Sequence, residues 1–115
     1  MKIEKFEDII AWQKAKELTL DVYSLFKACK DFGFKDQICR AAISVMNNIA
    51  EGFVSKSDSE FKHFLFVAKG SCAEVRSMLY LAKELNYISD NEYSPLHNKS
   101  IEISKIMSSL IKSLK

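Results

Sequence analysis

The sequence predicts an all-α fold, an antiparallel up-down-up-down four-helix bundle spanning residues 1–115 as a single domain. Three observations carry that expectation. Among 115 residues there are only three Gly and one Pro, so there is little to break a long helix. Apolar residues recur at steps of three and four in four separate stretches, and no β-branched run alternates with polar residues over a strand's length. Two Ser-x-x-Glu segments, SDSE and SDNE, have the spacing of helix-initiating capping boxes.

The first helix is expected over about Asp8–Lys30, where Trp12, Ala15, Leu18, Val22, Leu25 and Cys29 form one stripe. It runs into KDFGF, in which Gly33 can take the left-handed conformation that ends a helix. The second helix spans about Phe34–Gly52, with Ile38, Ala42, Val45 and Ile49 inward. The third begins at the Ser57–Glu60 capping box and carries the most regular stripe, Phe61, Leu65, Ala68, Cys72, Val75, Leu79 and Ala82. This is the spacing of helices that cross at small angles. A second box, Ser89–Glu92, opens the fourth helix, which carries Leu96, Ile103, Met107, Leu110 and Leu114. Pro95 lies beyond the first turn and is expected to remove one hydrogen bond and to kink or restart that helix.

Composition narrows the function classes. Hydrophobic residues are 48% and charged residues 28% of the chain, a globular rather than a disordered balance. Cys29, Cys39 and Cys72 are odd in number and share no C-x-x-C spacing, which favours reduced thiols in the cytoplasm over a disulfide framework. The N-terminus MKIEKFEDII has no signal-peptide core, and no apolar run approaches the roughly 20 residues that span a bilayer. The net charge is +2 and is spread evenly along the chain. Only the tail leans positive, with Lys99, Lys105, Lys112 and Lys115 against Glu102, so one protomer has a weak nucleic-acid footprint.

The third helix has more apolar residues than one core stripe uses. Phe64, Val67, Met78 and Leu81 form a second row and Phe66 stands outside both, while the first helix adds Ile9, Leu20, Tyr23 and Phe26. Such a surplus marks a wide core or a partner surface, and self-association is the expectation drawn here.

Few residues suggest chemistry. Glu60-x-x-His63 is half of a di-iron carboxylate motif, but no second Glu-x-x-His exists. Cys72 falls on the core stripe, where cysteine acts as a small hydrophobe, and His97 has no partner at a motif spacing. Gly33, Gly52 and Gly70 are isolated and form no phosphate loop. Neither a catalytic residue, a metal nor a cofactor is implied.

The polar stretch NNIAEGF is the more informative one. Arg40, Ser44, Asn47 and Glu51 line one edge of the second helix, with Asn48 nearer the core. The structural expectation is that Asn48 fixes helix register by bonding backbone or a neighbouring helix. Gly52 then serves as a close-packing point or C-terminal cap. The functional alternative is a polar ligand surface made by Arg40, Asn47, Asn48 and Glu51.

FEDIIAWQKAKEL, QICRAAISVMNNIAEGF, EFKHFLFVAKGSCAEV and LAKELNYIS follow one another in the chain. Together they resemble the 23S ribosomal RNA intervening-sequence protein family, bacterial four-helix-bundle proteins. The similarity covers nearly the whole chain; Val45 and Met46 stand where the family often has isoleucine and proline. Its signature positions map to Trp12, Gln13, Arg40, Ser44, Asn48, Glu51, Gly52, Gly70 and Ser71, most of them expected at helix contacts. The resemblance implies a left-handed antiparallel bundle assembling as a ring, commonly a pentamer, with no established enzymatic activity. It also extends to the accessory variability protein of diversity-generating retroelements, a basic pentameric barrel that binds a reverse transcriptase and nucleic acid.

The expected function is therefore a non-enzymatic, cytoplasmic, self-assembling scaffold that binds RNA or a ribonucleoprotein and does not associate with membranes. A five-fold ring multiplies the charge to about +10 and can concentrate it on one rim. The interface candidates are Phe64, Phe66, Val67, Met78 and Leu81, and the RNA-contact candidates are Lys99, Lys105, Lys112 and Lys115. The rivals are an adaptor that docks a partner's helices and a metal- or small-ligand-dependent bundle enzyme.

Overall fold

The computed structural model describes residues 3–115. A 3-10 turn, Phe6–Asp8, leads into α1 (Ile10–Leu25), α2 (Phe32–Phe53), α3 (Asp58–Glu84) and α4 (Asp90–Ser113). There are no strands among the described residues. Short turns force consecutive helices to run antiparallel. Each helix packs on its two neighbours in the order α1–α2–α3–α4 and back to α1, the α2–α3 contact being the most extensive. The result is an up-down-up-down bundle of 43 × 22 × 19 Å.

The stripes point inward as the spacing predicts. Leu18, Val22, Ile38, Val45, Ile49, Leu65, Val75, Leu79, Ile103 and Met107 are fully buried. The seven α3 stripe residues from Phe61 to Ala82 all lie in the core. Burying one such Leu or Ile side chain contributes about 1.5–3 kcal/mol. Among the described residues only two polar residues are buried, and both are satisfied. The Thr19 hydroxyl is within 2.8 Å of the Ala15 carbonyl and 3.1 Å of the Ala42 carbonyl, stitching α1 to α2. Ser100 donates to the His97 carbonyl at 2.7 Å.

Helix ends depart from expectation in three places. α1 stops at Leu25, five residues early, because Phe26 folds back into the core, 1% exposed, with its ring 5.6 Å from that of Phe34. Gly33 does not terminate it and lies within the first turn of α2. The neighbouring Asp31 is a better cap: one oxygen accepts from Phe34 N at 3.2 Å and the other from the Tyr87 hydroxyl at 2.7 Å. The Tyr87 hydrogen bond first, then that of Phe34 N–H, hold the Asp31 carboxyl below its ordinary pKa.

The left-handed residue is instead Asn86, at φ 61°. Asn86 N bonds Lys83 O and Tyr87 N bonds Ala82 O, the paired hydrogen bonds of a Schellman ending to α3. Of the two capping boxes, Ser89/Glu92 is complete. At α3 only half forms: Ser57 accepts from Glu60 N, but Glu60 reaches past Ser57 to Lys56 N. α4 runs unbroken through Pro95. The carbonyl that Pro95 cannot serve, that of Asn91, belongs to an exposed residue open to water.

Candidate functional site

The signature residues divide into a contact group and a solvent group. Asn48 Nδ2 donates to the Ser44 carbonyl at 2.8 Å and lies 3.0 Å from Ser44 Oγ, which is 2.8 Å from Ser71 Oγ on α3. This half-buried chain of three side chains fixes the α2–α3 register. One turn on, an added Cβ at Gly52 would lie 2.8 Å from both Phe61 Cδ1 and Phe64 Cβ. Gly52 is thus a close-packing point inside α2, whose cap is Val54. At the N-terminal end, Trp12 meets Phe6 edge-on at 5.2 Å, and Gln13 Nε2 donates to the Glu7 carbonyl at 2.9 Å. These contacts tie the 3-10 turn onto α1.

Arg40, Glu51 and Gly70 differ from the rest and are exposed. Arg40 pairs with Asp36 of its own helix at 2.8 Å. Together with Tyr23, Ser44, Asn47 and Asn48, Arg40 and Glu51 line an open polar groove of about 560 Å³ beside α2. Apart from its chain neighbours and the backbone of its own helical turns, no described atom comes within 4 Å of a Cβ built on Gly70.

The apolar surplus also divides. Phe66 is 58%, Leu81 48% and Val67 40% exposed. Met78, expected on the same outer row, is in the core, and Phe64 is half-buried. The close approach at Gly52 brings α2 against α3 at Phe61 and Phe64. Ile9 and Phe26 of α1 are likewise core, whereas Leu20 and Tyr23 are exposed. A separate apolar pocket of about 510 Å³, lined by Ile9, Ile10, Phe53, Phe61, Ile106 and Leu110 among others, opens at the end of the bundle where α1 begins.

Charge is segregated in a way that a tally by segment does not reveal. Lys99, expected as a free contact, is engaged inside the chain: its ammonium is 2.9 Å from Asp21 Oδ2 and 3.5 Å from Glu17 Oε1 on α1. Burial pulls the Lys99 pKa down, but Asp21 and Glu17 together outweigh it and the net shift is upward. Lys14 pairs with Glu102 across the same seam. Lys105, Lys112 and Lys115 are exposed.

The cations that sequence reasoning missed are on α3. Lys62, Lys69, Arg76 and Lys83 recur every seventh residue along the edge facing α4. Lys69, Arg76 and Lys83 pair with no carboxylate among the described residues, whereas Lys62 Nζ donates to Lys115 O at 2.9 Å. The seven-residue period was the signal that could have found them. The acids of the helix middle lie elsewhere: Glu74 is on the α2 side, where it accepts from Gln37 Nε2 at 3.1 Å.

Aromatic residues accompany this row. The Lys69 ammonium is 6.0 Å from the Phe66 ring centre, and that of Lys83 is 5.9 Å from Tyr80 and 4.5 Å from Tyr93. The Tyr80 hydroxyl is 3.3 Å from His97 Nε2, and the His97 ring stacks on Tyr93 at 5.2 Å. Burial, with hydrogen bonding and charge from Tyr80, pushes the Tyr93 phenol up to about 12.

Residues with nucleophilic or ligating chemistry are otherwise engaged or dispersed. Cys72 is fully buried, its thiol donates to the Ser100 carbonyl at 3.2 Å, and burial pushes its pKa up to about 11. Glu60 caps backbone, and the His63 ring meets the Phe64 ring edge-on at 5.7 Å. No group of three or more His, Cys, Asp or Glu side chains suited to a metal occurs among the described residues. No helix among them is long and apolar enough to cross a membrane.

Comparison with known proteins agrees with this architecture. A crystal structure of a protein of unknown function from the S23 ribosomal protein family, from Bacteroides thetaiotaomicron VPI-5482, superimposes with a TM-score of 0.84. The two sequences are 28% identical, over 90% of this chain and 99% of that one. Among curated proteins no sequence matches. The model of the 23S rRNA-intervening sequence protein family matches residues 7–109, from the turn before α1 to the last helical turns of α4, and the chain belongs to that family.

Proposed function

We propose that the protein is a non-enzymatic helical-bundle scaffold that self-associates in the cytoplasm and binds RNA or a ribonucleoprotein. The observation that carries the reading is the segregation of charge. The α1–α4 seam neutralises its ions in pairs, whereas Lys69, Arg76 and Lys83 on the α3 edge and Lys105 and Lys112 on the outer face of α4 have no carboxylate partner among the described residues. A polyanion neutralised by such a surface releases counterions, which drives association even when the net charge is only +2.

Self-association is supported by the outward face of α3. Gly70 lies mid-helix, where glycine costs about 1 kcal/mol relative to alanine, and nothing in its own chain crowds it. It is flanked by exposed Val67 on one side and Leu81 on the other. A gap of this kind suits the close approach of a helix from a second copy, and the ring implied by the family resemblance needs such a face.

Light scattering after size exclusion, with the ratio of absorbance at 260 and 280 nm on the same peak, tests both parts. The expected result is a discrete oligomer that binds structured or unstructured RNA at low salt. A monomer of concentration-independent mass removes the assembly, and absence of binding to either RNA form removes the nucleic-acid role. A protein-adaptor reading has the apolar pocket at the bundle end in its favour. Recovery of a protein partner by a chain that ignores RNA would replace the first reading with the second.

A further inference from the structure

The RNA reading leaves open which form of RNA is bound and where, and the α3–α4 face answers both. We infer that the edge of α3 formed by Lys62, Phe66, Lys69, Arg76, Tyr80 and Lys83 is a binding platform for single-stranded RNA. Lys69, Arg76 and Lys83, which have no carboxylate partner among the described residues, hold the backbone, and the two exposed rings stack bases. The inference rests on the RNA reading of the preceding section and assigns its contacts.

The argument begins with spacing. Residues seven apart on a helix rise about 10 Å and drift by about 20°, so the four cations form one continuous, gently slanted row about 32 Å long. Two aromatic residues, Phe66 and Tyr80, interrupt the row at steps of four and three, and Ala73 occupies the equivalent position between them. Phe66 is 58% and Tyr80 49% exposed, each with a cation one turn away on either side. Exposed rings between cations are poorly suited to a duplex, whose bases are already stacked. They suit a single strand, in which every base has a free face.

Tyr80 is also held in place. Its hydroxyl meets His97 Nε2 at 3.3 Å, and its ring lies 5.5 Å from that of Tyr93. A held ring loses little freedom when a base stacks on it. The other macromolecular occupant, a second copy of the chain, would need an acidic row of matching period. The acids nearest to that pattern are Glu60 and Glu74 on the opposite edge of α3. Both already accept hydrogen bonds, from Lys56 N and Gln37 Nε2.

The test is fluorescence anisotropy with a labelled oligouridine on the full chain. It compares the wild type, Lys69→Gln/Arg76→Gln on the row, and Lys27→Gln/Lys30→Gln, which removes the same charge from an exposed turn off the row. The row variant is expected to bind at least about tenfold more weakly, with the log–log salt slope reduced by about 1.4, that is 0.7 per cation for a single strand. The off-row variant should stay close to wild type. Tyr80→Ala should lose about tenfold, while Tyr80→Phe, which keeps the ring and its contact with Tyr93 but gives up the hydroxyl contact to His97, should lose less. Melting curves confirm that each variant folds.

Three results overturn the inference. Equal losses in the row and off-row variants would mean diffuse attraction, and preferential competition by duplex RNA would mean the wrong form. A change of solution mass in the row variant at unchanged RNA affinity would make the edge a contact between copies. In each case RNA binding itself persists, so the broader reading survives; only wild-type silence toward both RNA forms removes the two together.

Discussion

Gly52→Ala should destabilise the fold, whereas the same change at Gly70 should stabilise it. Both glycines lie inside helices without a positive φ, so alanine gains up to about 1 kcal/mol of helix propensity at either site. At Gly52 the new Cβ would stand 2.8 Å from Phe64 Cβ and Phe61 Cδ1, about 1 Å inside the usual 3.5–4.0 Å carbon contact. Phe64 Cβ is one bond from the α3 backbone and no rotamer change moves it, so the helices must separate. Overpacking of this kind costs about 1–3 kcal/mol. With a contact fixed to backbone the upper half applies, and the net loss is about 1–2 kcal/mol. For a chain of this length that lowers Tm by about 4–8 °C. Gly70→Ala meets nothing within 4 Å beyond its own helical turns in the single chain and should raise the Tm of the monomer by about 2–4 °C. Thermal and urea unfolding followed by circular dichroism measures both, at a protein concentration that keeps the mass constant. Phe64→Ala offers no rescue because it retains the clashing Cβ. A Gly52→Ala protein that matched or exceeded the wild type would refute the close-packing argument.

The remaining predictions concern register, a helix end and a buried-edge ion pair. Asn48→Ala should lose about 1 kcal/mol, and a double-mutant cycle with Ser71→Ala should show coupling of at least about 0.5 kcal/mol through Ser44; additive losses would mean the amide and Ser71 act separately. Asn86→Gly should gain a few tenths to about 1 kcal/mol, because its φ of 61° is costly for a residue with a Cβ. Asn86→Ala should lose stability, and a gain there would contradict the Schellman assignment. Lys99→Gln should lower stability by about 0.5–1 kcal/mol at neutral pH, the range of partly exposed ion pairs. Since folding raises the Lys99 pKa above 10.5, its contribution is complete below that pH and fades as pH rises through the folded value. The difference between wild type and variant in a pH series of urea midpoints should therefore close only in strong alkali; closure near neutrality would disprove the pairing.

The four helices and their inward stripes were legible in the sequence because each stripe is a local property of one period. Helix ends were less so. In KDFGF a strong N-cap, Asp31, and a strong C-terminating residue, Gly33, stand two apart and argue for opposite boundaries. The outcome depended on Tyr87, which secures the second oxygen of Asp31 from the far end of α3. The fate of Lys99 was equally non-local, since Glu17 and Asp21 are about eighty residues away in sequence and meet it only because α4 closes against α1. Met78 and Leu81 are about 60° apart around α3. Which of them faces the core depended on how the neighbouring helices pack on α3, and Met78 is 9% exposed where Leu81 is 48%.

The candidate site was hidden for a different reason. Adding charges over residues 55–88 mixes the two edges of α3, so Asp58, Glu60, Glu74 and Glu84 nearly cancel Lys56, Lys62, Lys69, Arg76 and Lys83 on paper. In the bundle they do not cancel, because Glu74 faces α2 while the cations face α4. The same helix therefore gives a near-neutral sum and a strongly one-sided field, and a distant polyanion responds to the field. The consequence for assembly is specific. If copies associate through the outward face around Gly70, each protomer's α4-facing edge remains beside that contact, and a closed ring repeats the row once per subunit without adding a residue. A strand long enough to reach two rows then binds with the effective concentration of a tethered ligand. Affinity for oligouridine should consequently rise in a step once its length spans neighbouring protomers, and an assembly-deficient Gly70→Leu variant should lose the step while keeping the affinity for short strands.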